Sequence, residues 1–397
     1  MKKDLSKKDQ LNIAMVGHKR VASREGGVEI VVSELATRMV QKGNHVTCYD
    51  RGGHHVSGEE YDDPSVDNYH GVHVKKLWTI EGKGLAAASS SIFGAIVTAF
   101  GKYDVVHFHA EGPCLACGIP KFFGKKVIAT IHGLDHQRAK WGRFATAYIM
   151  RGEKAAVKHA DEIIVLSKGV QDYFKDRYHR ETVLIPNGIE KAKPEEADLI
   201  CDKWGLKKDD YILFLGRVVP EKGVHYLIEA YKGLNTDKKL VIAGGASDTS
   251  DYLERLYHMA EAIPDETESF YKSTDGKIIF TGFVQGQPLA ELYSNAYVYV
   301  LPSDLEGMPL SLLEAMSYGN CCLTSDIPEC ADVTGKQGVT FRKSDVEDLR
   351  EKLDMLLKDE MQTDLLKSYA SDYICDKYNW NDVVDKTLKL YKGIYEE

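Results

Sequence analysis

The chain has 397 residues and a mass of 44.4 kDa, with 43% hydrophobic and 28% charged residues. That supports two or three globular domains with full cores, and with 34 glycines and 11 prolines it excludes a disordered or collagen-like polymer. Lys and Arg number 51 against 60 Asp and Glu, a net charge of -9, the opposite of what a bulk nucleic-acid binder carries.

In chain order, residues 11–17 form a short apolar run that predicts a buried strand. Val28, Val31, Val32, Leu35 and Met39 recur at helical spacing over 28–41, with Gly43 as the stop signal. Further strands are predicted at 45–49, 72–77, 104–108, 126–131 and 162–166. The longest apolar stretch, Leu85 to Phe100, is shorter than the ~20 residues that cross a bilayer. It carries Ser89, Ser90 and Ser91 in succession and predicts a buried helix. Residues 186–210, with Pro186, Asn187, Gly188, Pro194 and many charges, read as turns and linker. The pattern restarts at 211–215, with strands at 239–243, 277–280, 297–301, 321–324 and 338–341. Repeated strand–helix alternation predicts an α/β chain of two doubly wound, Rossmann-like domains, 1–190 and 191–378, facing across a cleft. Residues 379–397 form a tail.

Eight cysteines are scattered along the chain, and no apolar core follows the Lys-rich start. Reduced thiols and a cytoplasmic location are therefore expected. Cys114 and Cys117 form a C-x-x-C, but no second pair lies at zinc spacing, and the flanking residues read as the start of a buried helix.

Several residues suit anionic ligands. Gly26-Gly27 precedes the first predicted helix, where the backbone can approach a phosphate and helix N–H groups can meet it; a plain turn is the alternative. The second domain opens with Gly216-Arg217 and continues to Lys222-Gly223, again between a strand and a helix. Two cations at a helix start can hold a diphosphate and stabilise it as it leaves; solvated loop charges are the alternative. In 304–319, Pro309 fits the first turn of a helix and Gly319 its end. Glu306 then lies in the loop and Glu314 in the helix. Eight helical residues would part them by ~12 Å, beyond the about 5–9.5 Å of a glycosidase pair, so they grip different parts of an extended ligand. On so apolar a helix Glu314 needs a partner, a ribose diol or an Arg.

His107, His109, His132 and His136 stand at or near the ends of two predicted strands, where open α/β sheets bind ligands. No zinc motif or carboxylate cage accompanies them, so no metal site is expected. Residues 136–160 hold Arg138, Lys140, Arg143, Arg151, Lys154 and Lys158, with Trp141, Phe144 and Tyr148 between them and Glu153 as the opposing acid. The stretch reads as an interfacial basic–aromatic surface or as a solvated helix face. Residues 1–190 carry 27 Lys/Arg against 22 Asp/Glu, and 191–397 carry 24 against 38, which reads either as chance or as a first half that meets something anionic, such as a membrane surface; RNA is disfavoured by the overall acidity.

Together these motifs resemble the family 4 glycosyltransferases of GT-B architecture over nearly the full length. The strongest carrier is Glu306 through Glu314 (EGMPLSLLE), joined by Gly216-Arg217, Lys222-Gly223, Gly26-Gly27-Val28-Glu29 and Ile185-Pro186-Asn187-Gly188. The segment Thr130 to Trp141 is similar to a bacterial subgroup that includes rhamnosyltransferases. The resemblance implies transfer of a sugar, with retention, from a nucleotide diphosphate donor to a glycan or lipid-linked acceptor in surface polysaccharide synthesis. It implies no metal and no other cofactor, and work at the inner membrane face. By the same resemblance Arg217 and Lys222, beside Gly216, hold the diphosphate. Glu314 takes the ribose. Glu306 and the backbone of Gly307, Met308 and Leu310 hold the donor sugar, and His132 contacts it. Gly26 and Gly27 approach the phosphates, the base lies by Phe283 and Val284, and the tail helix crosses back to the first domain. The family more often has Phe and Gly where Met308 and Pro309 stand, and Pro309 removes one N–H. The resemblance implies a same-face route in which the departing phosphate oxygen takes the acceptor proton, consistent with the lack of an obvious spare carboxylate for a double displacement. A sugar-nucleotide epimerase and a non-catalytic nucleotide-sugar sensor are the alternatives on this architecture.

Overall fold

The computed structural model describes residues 4–52, 67–80, 82, 85–137, 142–246, 249–265, 267 and 269–395. The chain divides into two compact units: Met1–Gly188 with Asn379–Glu397, and Ile189–Tyr378.

The first unit holds strands β1 (Asn12–Val16), β2 (His45–Arg51), β3 (Asn68–Tyr69), β4 (Val72–Leu77), β5 (Val105–His109), β6 (Lys126–Ile131), β7 (Glu162–Val165) and β8 (Val183–Leu184). Among the described residues they form one eight-stranded sheet in the order β3-β4-β2-β1-β5-β6-β7-β8. All pairs are parallel except the edge pair β3–β4. Its central strands are continuous apolar runs because both faces are covered: Ile13, Ala14, Met15 and Val16 are fully buried.

The covering helices are α1 (Gly27–Gln41), α2 (Leu85–Phe100), α3 (Gly118–Phe122), α4 (Arg143–His159) and α5 (Lys168–Tyr178). Helix α2 corrects the expectation of a buried helix, because it is packed inside out. Ser89, Ser90, Ser91, Gly94, Ala95 and Thr98 face the sheet, while Ile92, Phe93, Ile96, Val97 and Phe100 are exposed. The small residues let the helix sit close: a Cβ on Gly94 would lie 2.8 Å from Val16. The buried hydroxyls are satisfied within the helix, Ser91 donating to the Ala87 carbonyl at 2.6 Å and Thr98 to that of Gly94 at 2.7 Å.

The second unit holds α6 (Leu199–Trp204), β9 (Tyr211–Leu215), α7 (Val224–Lys232), β10 (Lys239–Ala243), α8 (Ser250–Ala260), β11 (Ala262–Pro264), β12 (Tyr271–Ser273), β13 (Ile278–Gly282), α9 (Gln287–Asn295), β14 (Val298–Leu301), α10 (Leu310–Ser317), β15 (Cys322–Ser325), α11 (Pro328–Thr334), β16 (Val339–Phe341), α12 (Val346–Lys358) and α13 (Glu360–Lys377). Its sheet runs β11-β12-β13-β10-β9-β14-β15-β16, with an antiparallel edge at β11 and β12. Helix α6 lies within the predicted linker. It forms because buried Ile200 anchors it and the Glu291 carboxylate accepts the Ile200 N–H at 3.0 Å.

Helix α14 (Trp380–Lys392) returns the chain to the first unit. Gly188 admits it, since a Cβ there would lie 2.5 Å from the Trp380 nitrogen. Lys126 donates to the Leu390 carbonyl at 2.8 Å, and Lys42 pairs with Asp385 at 2.7 Å. At the core, fully buried His107 bonds Tyr391 through Nδ1 at 2.6 Å and Thr130 through Nε2 at 2.7 Å.

Burial, with the neighbouring His132, pulls the His107 pKa down to about 3. The folded chain keeps this ring neutral while the unfolded chain takes a proton below about pH 6.5. The contribution is therefore complete above that pH and is lost as pH falls toward 3. Denaturant unfolding of the first unit at pH 5 is expected to show about 2 kcal/mol less stability than at pH 7 from this group. His107→Leu should remove that part of the pH dependence; an unchanged slope would assign it elsewhere.

Candidate active site

In the second unit β9 lies between β10 and β14, so strand order reverses there. In an open α/β sheet the loops leaving such a point part and leave a ligand-sized crevice. Gly216 and Arg217 leave the end of β9, and a single helical turn, Pro220–Lys222, leads into α7. Gly223 is left-handed (φ 67°), and a Cβ on it would lie 2.0 Å from the Pro302 carbonyl oxygen. That close approach, with the Asp304 N–H donating to the Glu221 carbonyl at 2.8 Å, fastens the β9 loop to the segment after β14.

The fastening brings two of the expected groups together. Lys222 Nζ lies 2.5 Å from Glu306 Oε1, their side chains 11% and 8% exposed. The Ser303 hydroxyl donates to the same oxygen at 2.6 Å. Lys222 and Glu306 were expected on separate parts of a ligand, and no spacing rule links residues so far apart in sequence. Arg217 is half-buried at the same strand end.

Glu306 lies in the loop and Glu314 in α10. Pro309 is not in the first turn: it is the cap residue, extended at φ -77° and ψ 102°, and the helix begins at Leu310. The missing N–H of proline suits either place. No side chain caps this helix start, so its first N–H groups are available to an acceptor. Gly307, Met308 and Leu310 are buried around it. The Tyr293 hydroxyl donates to Glu314 Oε2 at 3.1 Å, and that of Tyr299 to Ser311 at 2.9 Å; neither tyrosine was foreseen. Val284 is half-buried just beyond β13.

The other expected residues belong to the first unit. Gly26 caps α1 in an extended conformation without a side-chain cap, and Gly27 opens the helix. His132 follows β6, its Nε2 3.2 Å from His109 Nδ1; burial and the neighbouring imidazoles hold His109 well below the usual histidine range. Cys114 and Cys117 are free and buried. Desolvation pushes the Cys117 thiol up to about 12 and raises Cys114 as well, so neither is a reactive thiolate.

Of the basic–aromatic stretch, Arg138, Lys140 and Trp141 lie outside the described residues. Arg143, Phe144, Arg151, Lys154 and Lys158 on α4 are exposed, Phe144 at 95%. Glu153 is not on that surface: it is fully buried beside Glu111 and His136, a cluster the sequence reading did not foresee. Burial, the Asp135 charge and the Glu153 carboxyl together raise the Glu111 pKa to about 10.

Lys222→Ala would leave the Glu306 carboxylate buried without its cation. Chemical unfolding should show a loss of about 3 kcal/mol, much of it recovered in Lys222→Ala/Glu306→Ala. Losses that simply add would dismiss the energetic coupling.

Two family profiles match successive parts of the chain: "Glycosyltransferase Family 4" over residues 25–193 and "Glycosyl transferases group 1" over residues 198–373. An uncharacterized glycosyltransferase of Methanocaldococcus jannaschii is 25% identical over 96% of this chain and 98% of its own. The N,N'-diacetylbacillosaminyl-diphospho-undecaprenol alpha-1,3-N-acetylgalactosaminyltransferase of Campylobacter jejuni is 26% identical, over 61% of this chain and 62% of its own. Among solved structures, Anabaena HepE in complex with UDP and glucose aligns with a TM-score of 0.77 at 15% identity, over 96% of this chain and all of that one. The chain is a glycosyltransferase of the family 4 type on the GT-B fold.

Proposed function

We propose that the chain moves a sugar from a nucleotide diphosphate donor to a glycan or lipid-linked acceptor, with retention of configuration, in bacterial surface polysaccharide synthesis on the cytoplasmic side of the membrane. The observation that carries this reading is the Lys222–Glu306 pair, sheltered beside Arg217 where the strand order of the second unit reverses. A diphosphate taken up there meets two fixed cations, and Glu306 keeps Lys222 in place until the ligand arrives. As the glycosidic bond breaks, charge builds on the leaving phosphate, and the cations stabilise it without reorganising. They do the work a metal would do, so transfer needs neither metal nor cofactor. The departing phosphate oxygen takes the acceptor proton, and the chain's residues position the reactants.

In this reading Glu314, held by Tyr293, takes the ribose, Val284 borders the base, and the α10 start from Gly307 to Leu310 holds the donor sugar with Glu306. Gly26, Gly27 and His132 lie in the first unit. The UDP and glucose of HepE support a donor of this class. The diphospho-undecaprenol in the name of the Campylobacter relative supports a lipid-linked acceptor. Likeness of the segment from Thr130 to Trp141 supports a place in a rhamnosyltransferase-like subgroup.

Arg217→Ala is expected to reduce transfer at least 100-fold, roughly 2.7 kcal/mol of transition-state stabilisation, and Glu314→Ala to weaken nucleoside diphosphate binding. Near-normal transfer, unchanged affinity or a strict Mg²⁺ requirement would overturn the corresponding assignment.

The acceptor reading also needs a lipid surface. Trp78, Phe93, Phe100, Phe122 and Phe123 are exposed on and around α2 and α3, and α4, whose Arg143, Arg151, Lys154 and Lys158 are exposed, packs beside α3. Apolar side chains beside a band of Arg and Lys suit an anionic bilayer. Among the described residues no helix is long and apolar enough to cross a membrane. Sedimentation with phosphatidylglycerol vesicles should capture the protein, and Phe93→Ser/Phe100→Ser should release it. Equal capture of both proteins would dismiss this surface.

A further inference from the structure

We propose that Glu111, His136 and Glu153 form a binding site for one divalent transition-metal ion in the first unit, with Zn²⁺ the ion best matched to its geometry. Three separate segments supply the ligands. Glu111 lies two residues beyond β5, His136 is in the single helical turn Asp135–Gln137 that follows β6, and Glu153 is on α4. The packing that joins them is tight. A Cβ on Gly152 would lie 2.0 Å from the Glu111 carbonyl oxygen, so α4 is pressed against the Glu111 backbone.

The distances suit an ion. His136 Nδ1 lies 3.6 Å from Glu111 Oε1 and 3.3 Å from Glu153 Oε2, and one ligand atom from each residue lies within 4.8 Å of the others. Bonds of about 2.0–2.2 Å in a tetrahedron hold neighbouring ligand atoms about 3.3–3.6 Å apart. Direct hydrogen bonds would draw them closer.

The unmet polar groups point the same way. Glu111 and Glu153 are fully buried. By strict geometry Glu111 Oε1 and Oε2, Glu153 Oε2 and His136 Nδ1 have no hydrogen-bond partner, although the Asp135 backbone N–H and the Glu153 carboxyl are within reach of Glu111. The other Glu153 oxygen is already supported: Tyr173 donates to it at 3.0 Å and Tyr178 also donates. This is how outer groups orient a ligating carboxylate while leaving its second oxygen for the metal. Two carboxylates with one divalent cation and a neutral imidazole give no net charge, which removes the cost of burying like charges together. His136 is 13% exposed, so the fourth position opens toward solvent. An ion there ties the segment after β6 to the segment after β5 and to α4.

The test uses the full chain, stripped with chelator, dialysed and titrated with ZnCl₂ and separately with CoCl₂. The expected result is one Zn²⁺ per chain with Kd below about 1 µM, a melting temperature raised by the ion, and a Co²⁺ visible spectrum of four-coordinate intensity. Glu111→Gln and Glu153→Gln should each weaken uptake at least about 100-fold. Glu111→Gln keeps the shape of the carboxyl and leaves no ionisable group to bury, so its metal-free form is expected to melt no lower than metal-free wild type; His136→Gln, read by Co²⁺ absorption, gives a third ligand variant. Wild type that takes up no Zn²⁺, or uptake equal in wild type and the ligand variants, would overturn the site and leave two carboxyls sharing a proton. None of these readouts depends on transferase activity.

Discussion

The reversal of strand order at β9 is the constraint on which the second unit's chemistry rests. Because β10 and β14 flank β9, the chain leaves β9 and β14 side by side and must fill the space between them with loop. Gly223 meets the Pro302 carbonyl there, and the contact sets the reach of every polar group nearby. Lys222 and Glu306 are 84 residues apart in sequence, yet the two loops place them within bonding distance. A buried ion pair is a poor source of stability, so the pair at these strand ends is what the proposed diphosphate site draws on.

Much of this was legible in the chain. The apolar runs that became β1, β9, β10 and β14 are buried on both faces and carry no competing pattern, so length and turn signals located them. The loops after β9 and β14 were readable because Gly216-Arg217 and the run from Glu306 to Glu314 hold unusual residues at strand–helix junctions. What could not be read was pairing across distance. Nothing in the local sequence says that Ser303 and Lys222 share one oxygen of Glu306, or that Tyr293 reaches Glu314, since those contacts follow from the order of strands in the sheet.

Other failures have a local cause. Helix α2 was misjudged because hydrophobicity was taken as the measure of burial. Serine and threonine can return their hydroxyls to carbonyls in the preceding turn, and glycine lets the helix lie close to β1. The small polar face was therefore the one to bury, leaving the large side chains outside. The edge strands β3, β11 and β12 are too short for periodicity to show. Helix α6 depends on Glu291, distant in sequence, to receive its N–H.

The same accounting separates the two carboxylate settings. Glu306 is buried but has a lysine and a hydroxyl, so its charge is answered within the chain. Glu111 and Glu153 are buried more completely and have tyrosine hydroxyls on one oxygen only, with His136 as the nearby group able to carry positive charge. A fold that supplies a tyrosine donor to Glu314 and a serine donor to Glu306 has no shortage of such groups to place. Leaving three carboxylate oxygens and an imidazole nitrogen facing one another, under a helix pressed onto the Glu111 backbone, is costly unless a proton or a metal ion joins them. That cost, more than the identity of any one residue, is what makes the first unit's cluster a site.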